Sequence, residues 1–474
     1  MKALRRNLKR VTAVLLLLFV LLGAYGAYSL HTYGNRWFAS NVNTFARQKK
    51  QDVKAGNVYD RQGYLLAAST ESSRLYAEDA AVRRAMVHML GDTTKNVSNG
   101  VESFMSVYLY GFRATFPERA QSYFAGVKRT GDSVLLTADA QLSAYASSLF
   151  PSGKAGALVV MNYKTGEVLC ELSFPQFDPL SVTESTKQDP QKPFYNRAVQ
   201  GLYAPGSTFK IVTALSALEN LPSAQTRAFQ CTGLLQLGEH YITDAGTRLE
   251  ENKLTSHGQL TLRRAFQVSC NNTFARLALE IGDEKLLETA ERLGFNDNFL
   301  FRDLVVENSS YPLKNRTDKE IAWTGAGQSA LLVTPMHMCM ITSAVANGGV
   351  MMEPMLLSQV LRADGQVREE FAPRAYGTVM TGEQADVLKE WMRAVVTGGT
   401  GTRADIAGAK VCGKTGSAEK DGQEETDAWF VGFLDEDEAP YALSVVVENA
   451  GGGGSVAAPI AKKVFEYLLG GAAR

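Results

Sequence analysis

Apolar residues run from Val11 to about Leu30 with few interruptions, behind a cluster of Lys2, Arg5, Arg6, Lys9 and Arg10. At a helical rise of 1.5 Å per residue, about 20 such residues just span a bilayer. The basic flank places the N-terminus on the cytoplasmic side, and Tyr25, Tyr28, Tyr33 and Trp37 fall where an outer aromatic belt would sit. The pattern therefore predicts a cytoplasmic segment at residues 1–10, an uncleaved single-pass anchor at 11–30 and an extracytoplasmic remainder. The competing reading is a cleaved signal peptide, with Val11 to Leu22 as its apolar region and Ala24 to Gly26 as a small-residue cleavage site. No Cys follows the run closely, which argues against a lipoprotein anchor.

Past the span the pattern changes twice. His31 to Lys54 is polar and basic, and Ala55 to Ser69 (AGNVYDRQGYLLAAS) then alternates like strand, tight turn and strand. Residues 31–150 are expected to form a small accessory module, closing on a helix from Asp139 to Phe150. Ala155 to Ser173 reads as a hairpin turning at Lys164-Thr165-Gly166 and opens a larger domain, residues 151–474. Three- and four-residue spacing predicts helices over Ser207 to Asn220, Leu260 to Ile281, Glu284 to Leu293, Thr334 to Ala346 and Gly382 to Val396. Lys410 to Ser417, Asp427 to Leu434 and Tyr441 to Glu448 read as strands, and Ser455 to Leu469 as a closing amphipathic helix. Strands, a block of helices, then strands again predict an α+β fold, its mainly antiparallel sheet segregated from a helical subdomain.

Charge and composition remove several function classes. Lys plus Arg is 49 and Asp plus Glu is 49, with no long basic block outside the first ten residues, so nucleic acid is not expected as a partner. Five Cys are too few for a disulfide framework, and an odd number leaves at least one unpaired within the chain. With five His, no HExxH and no CxxC, no metal-site spacing is evident, and no metal or cofactor is expected.

Three short elements carry possible chemistry: Ser207-Thr208-Phe209-Lys210, Ser269-Cys270-Asn271 and Lys414-Thr415-Gly416-Ser417. Taken singly each is ordinary: a helix start with Ser as cap, a turn, a strand end. Second copies also occur, at Ser417 to Lys420 and at Lys164 to Gly166. Context favours the first set. Pro205-Gly206 stops the preceding structure, so Ser207 opens a helix and Lys210 lies one turn on, on the same face. A serine hydroxyl is a poor nucleophile until a base takes its proton. Burial and the positive helix end both oppose charge on Lys210, which fits it for that task. Ser269 would supply a relaying hydroxyl and Asn271 an amide for a substrate backbone. Lys414 to Ser417 on an edge strand could pair with an extended peptide, and the N–H groups of Ser207 and Ser417 are oxyanion-hole candidates.

Jointly, in this order, the three elements match the pattern of β-lactamases and penicillin-binding proteins. The chain resembles a class B penicillin-binding protein of the short form without appended C-terminal modules, and it does so over nearly its whole length. NVYDRQGYLLA is similar to the family's N-terminal signature, GALVVMNYKTGEVLCELSFPQFDP to its first hairpin, and NRAVQGLYAPGSTFK to the approach to the nucleophile. GAGQSALLVTPMHMCMITSAVANGG and DAWFVGF resemble two further family blocks. The resemblance implies a penicillin-binding/β-lactamase-like transpeptidase domain that cross-links peptidoglycan stem peptides, D-Ala-D-Ala donor to amine acceptor, through a serine acyl-enzyme, and that β-lactams acylate. It implies Ser207 as nucleophile, Lys210 as base, Ser269 and Asn271 as the second motif, and Lys414, Thr415, Gly416 and Ser417 as binders of substrate carboxylate and oxyanion. It also implies a SEDS-type membrane glycosyltransferase as partner. One departure is Ala55 before Gly56, where the family usually has Arg. A D,D-carboxypeptidase would use the same motifs. A non-catalytic β-lactam sensor or scaffold would leave the complete motif set unexplained.

Overall fold

The hairpin expected over 155–173 forms as β1 (Gly156–Asn162) and β2 (Val168–Phe174), and the late strands as β3 (Val411–Ala418), β4 (Asp427–Leu434) and β5 (Tyr441–Val447). In this computed structural model they join in the order β3-β4-β5-β1-β2, antiparallel throughout. The residues described are 2–39, 53–70, 73–92, 94, 96–97, 99–247, 251, 253–312, 316–419 and 425–471.

Alternation along β1 explains the layering. Ala157, Val159 and Met161 point into a core shared with the buried helix Pro335–Ala346, whereas Leu158 and Val160 point into a second core closed by the helix Ala457–Leu469. Side chains of period two thus bury both faces of one sheet between helical layers. Every residue of β4 and β5 is buried. β3 is the edge, as expected, and helix Gly382–Gly398 packs over it.

The helical run expected over Leu260 to Ile281 is instead broken. Gly258–Thr261 is a strand paired with Ala228–Cys231, the Thr261 hydroxyl caps helix Leu262–Gln267, and a second helix runs Asn271–Ile281. Ser269 lies between the two helices at φ 61°, a left-handed conformation uncommon for a residue with a side chain. A hairpin of Leu234–Leu237 and His240–Thr243 also forms without having been anticipated.

Nearer the N-terminus, Val58–Tyr59 and Leu65–Ser69 flank the expected tight turn. The Asp60 carboxylate accepts from the Gln62 and Tyr64 backbone N–H groups at 2.9 and 2.8 Å and from Ala140 N at 3.2 Å. These strands belong to a sheet of six that also takes in Leu357–Leu361 and Val367–Glu370, so residues from far along the chain complete it. Beside Gly56, where the family's Arg is missing, Arg74 donates to the Gly56 carbonyl at 2.7 Å and forms a buried pair with Glu102 at 2.7 Å. The anchor region is one helix, Lys2–Ala39, of which Arg5–Ser29 is long and apolar enough to cross a membrane. The side chains of Tyr33 and Trp37, and the basic stretch at 40–52, lie outside the described residues.

Candidate active site

Gly206 has φ 55°, turning the chain so that Ser207 starts a 3-10 segment, Gly206–Phe209, which runs into helix Lys210–Asn220. The Thr208 hydroxyl donates to the Pro205 carbonyl at 2.7 Å and tightens the turn. Tyr203 fixes the approach. Its backbone pairs with Val333, its hydroxyl donates to Glu448 at 2.8 Å, and its ring meets Trp429 edge-on at 5.8 Å.

Lys210 is fully buried one turn beyond Ser207, as its spacing predicts. Its Nζ lies 3.1 Å from Ser207 Oγ, 2.7 Å from the Ser269 carbonyl oxygen, 3.2 Å from Ser269 Oγ and 2.6 Å from Asn271 Oδ1. Burial brings Lys210 down to about 8, partly offset by Cys270 and Asp244 nearby. A neutral amine has two N–H bonds and a lone pair. The Ser269 and Asn271 carbonyl oxygens can only accept, so they take the two N–H bonds and leave the lone pair for the Ser207 hydroxyl. The geometry is that of a nucleophile beside its base.

The second and third motifs meet at Ser269. Lys414 Nζ, also fully buried, donates to Ser269 Oγ at 2.9 Å and to the Thr415 carbonyl at 3.0 Å, so one hydroxyl joins two amines. Burial and the adjacent Lys210 hold Lys414 well below the usual lysine range. The Thr415 hydroxyl lies 2.5 Å from that of Thr400. Ser417 Oγ accepts from Gly453 N at 3.3 Å, and Gln328 Nε2 donates to the Ser417 carbonyl at 3.4 Å. Gly453 has to be glycine, because a Cβ there would stand 2.1 Å from the Trp429 carbonyl oxygen and 2.3 Å from that of Gly416. A cleft of about 600 Å³ opens over Ser207, Ser269, Asn271, Thr415, Gly416 and Ser417. The fold therefore brings all three elements together. The second Lys-Thr-Gly, at 164–166, sits in the β1–β2 turn, where exposed Lys164 pairs with Asp437 at 3.1 Å. Lys420 of the second Ser-x-x-Lys lies outside the described residues.

Asp244 escaped the sequence reading. Its Oδ1 accepts from the backbone N–H groups of Asn271 and Asn272 at 2.5 and 3.3 Å, while Asn271 Nδ2 donates to the Thr243 carbonyl at 2.9 Å. Cys270 caps the following helix, accepting from Thr273 N at 3.3 Å. Cys231 Sγ donates to Asp244 Oδ2 at 2.9 Å, and His257 Nδ1 lies 3.4 Å from the same oxygen. One ligand atom each from Cys231, Asp244, His257 and Cys270 fall within 4.8 Å of one another, a thiol-imidazole-carboxylate set that could hold Zn²⁺. The short-motif test used on the sequence could not see this cluster, because its members recur in thirteen-residue steps on separate strands and loops. All five cysteines are buried and none is in a disulfide.

Known proteins resemble this chain over most of its length. The family described as penicillin binding protein transpeptidase domain matches residues 156–466. The peptidoglycan D,D-transpeptidase PbpA of Mycolicibacterium smegmatis is 26% identical over 500 residues, spanning 98% of this chain and 99% of that protein. Stage V sporulation protein D of Bacillus subtilis is 33% identical over 327 residues, which is 66% of this chain and 48% of that protein. Among solved structures, the D,D-transpeptidase domain of a peptidoglycan glycosyltransferase from Eggerthella lenta superposes with a TM-score of 0.75 at 28% identity, covering 88% of this chain and 99% of that one. The imipenem acyl-enzyme complex of penicillin-binding protein A from M. tuberculosis gives 0.78 at 24% identity, covering 89% and 100%, and shares the fold. With the matched family region spanning the five-stranded sheet and all three motifs, the chain belongs to the penicillin-binding protein transpeptidase family.

Proposed function

We propose that the protein is a serine-type peptidoglycan D,D-transpeptidase. Ser207 Oγ attacks the penultimate D-Ala carbonyl of a stem peptide while its proton passes to Lys210. The oxyanion is held by the N–H groups of Ser207 and Ser417. The C–N bond breaks, the terminal D-Ala leaves with the returned proton, and an ester on Ser207 remains. An acceptor amine then attacks that ester, forming the cross-link and regenerating the serine. Lys414, Thr415 and Ser417 receive the terminal carboxylate, Gly416 lets the peptide lie along β3, and Ser269 relays protons between the two lysines. The observation that carries this reading is the 3.1 Å approach of the buried Lys210 amine to Ser207, with its other bonds already committed to carbonyl oxygens.

Residues 1–10 are taken as cytoplasmic, 11–30 as the anchor, 31–150 as an accessory module and 151–474 as the extracytoplasmic transpeptidase domain. A SEDS-type glycosyltransferase is the proposed source of nascent strands, reached through the anchor and the membrane-proximal module. Incubation with a donor pentapeptide and a D-amino acid acceptor, followed by mass spectrometry, tests the activity. Exchange product together with released D-Ala is expected. Hydrolysed tetrapeptide alone would assign a D,D-carboxypeptidase instead, and an inert donor would refute both.

A further inference from the structure

The helix Phe116–Ala125 carries its apolar side outward. It is a well-built helix: Thr115 and Glu118 form a capping box, Pro117 lies in the first turn, and Gly126 ends it in the left-handed conformation. Phe116, Ala120, Tyr123, Phe124 and, beyond its end, Val127 recur at helical spacing and form one stripe. A surface helix normally buries such a stripe. Here none of the ten helical residues is buried, and Phe116, Tyr123 and Phe124 are 82%, 82% and 85% exposed. The polar side holds the helix to the body instead. The Glu118 carboxylate pairs with Arg368 at 2.7 Å, and the Arg119 guanidinium donates back to the Ala114 and Phe112 carbonyls at 3.0 and 3.1 Å.

Its position says what covers it. The long N-terminal helix packs on Val101–Phe104 and Ser106–Leu109, and Ser29, at the end of its apolar stretch, is buried. Phe116 follows Leu109 by seven residues, a reach of about 25 Å at most. The stripe is a row of three exposed aromatic side chains with Val127, the composition of an interfacial element. Arg113, Arg119, Lys128 and the half-buried Arg129 flank it in sequence; Glu118, already paired, is the one carboxylate between residues 111 and 130, and from outside that stretch Glu369 pairs with Arg113 at 3.3 Å. Such a charge balance suits lipid phosphates.

We propose that the Phe116–Ala125 helix lies in the interfacial layer of the phospholipid bilayer that holds the anchor. Phe116, Tyr123, Phe124 and Val127 enter the boundary with the acyl chains, and the surrounding cations face the headgroups. This second attachment fixes the tilt and height of the cleft over the membrane, and it rests on the anchor reading above. The test uses the full chain in vesicles of phosphatidylethanolamine and phosphatidylglycerol, with a bimane label at Tyr123→Cys, in the middle of the stripe, or at Gln121→Cys, an exposed position about 160° away around the same helix. The five native cysteines are buried, so labelling is directed to the new one. The expected result is a blue-shifted emission at position 123 and quenching by doxyl lipid several-fold stronger than at 121, with penicillin acylation at the parent rate confirming the fold. Equal quenching at both positions would overturn the proposal. So would a shift that disappears when the protein is diluted with lipid, which would assign the face to a second copy. Flotation of the vesicles reports on the anchor separately: chain that fails to float defeats the anchor reading and this inference with it.

Discussion

Lys210 has more polar neighbours than an amine has bonds, and its proposed role as base rests on two of them being carbonyl oxygens that take its N–H bonds and leave the lone pair to Ser207. Replacing it by Ala should slow penicillin acylation by about two to four orders of magnitude, the scale of a lost general base, while thermal melting stays cooperative. Lys210→Arg is the sharper variant, since a guanidinium keeps its charge at all working pH values and should be as slow. Parent-rate acylation in either variant would assign the base elsewhere. With Lys210 near 8, the acylation rate should climb as pH rises toward 8, because only the neutral amine can take the serine proton. Asp244 favours the charged lysine, so Asp244→Ala should move this limb to lower pH while slowing acylation through the loosened Asn271 turn, both read from one rate–pH profile. The Ser207–Lys210 pair was legible because one helical turn separates the two residues. Asp244 was not: it contacts the motif through backbone N–H groups, which leave no trace in residue identity.

At the scale of elements, helix Pro335–Ala346 shows how a polar residue survives in a buried layer. His337 is fully buried, its Nε2–H donating to the Leu293 carbonyl at 2.7 Å while Nδ1 accepts from the Ser309 hydroxyl at 2.8 Å. Burial lowers it to about 4, so the folded state keeps the neutral ring. Its stabilisation is therefore present above the unfolded-state value near 6.5 and is lost as pH falls toward 4. His337→Asn should remove up to about 1.4 kcal/mol per pH unit from the slope of unfolding free energy over that interval. Chemical denaturation at several pH values measures the slope, and an unchanged slope would mean that the ring is charged in the fold. Long elements with strong periodicity, such as this helix and the five sheet strands, were readable from the sequence. The four-residue strands at 228–243 were not, since Ala228–Cys231 and His240–Thr243 are half exposed and too short for a period of two to stand out. The break at Ser269 escaped the pattern for another reason: apolar residues continue at helical spacing through it, and the left-handed turn is held by a backbone bond from Cys270 N to the Ala265 carbonyl at 2.9 Å and by tertiary bonds from the two lysines and to Asp244.

For the whole molecule, the sheet that mixes strands 58–136 with strands 357–370 limits how the chain can be divided. An exchange of residues 1–150 would remove the Ser133–Leu136 partner of Leu357–Leu361, so the test of a membrane partner is better made on the anchor helix alone. Full chain carrying an unrelated membrane helix in place of residues 1–39 should still be acylated by penicillin but lose co-purification with a SEDS polymerase. Undiminished co-purification would confine that contact to residues beyond 39. Long-range strand exchange of this kind is invisible to a reading that follows the chain in order, whereas the family blocks were visible because each is continuous in sequence, from the two adjacent strands of NVYDRQGYLLA to DAWFVGF within β4. The central claim is that three distant segments converge on a single nucleophile, and incubation with labelled penicillin followed by peptide mapping tests it most directly. One adduct is expected, on the peptide holding Ser207 and absent from Ser207→Ala; an adduct on Ser269 or Ser417, or none with Ser207 intact, would contradict the account.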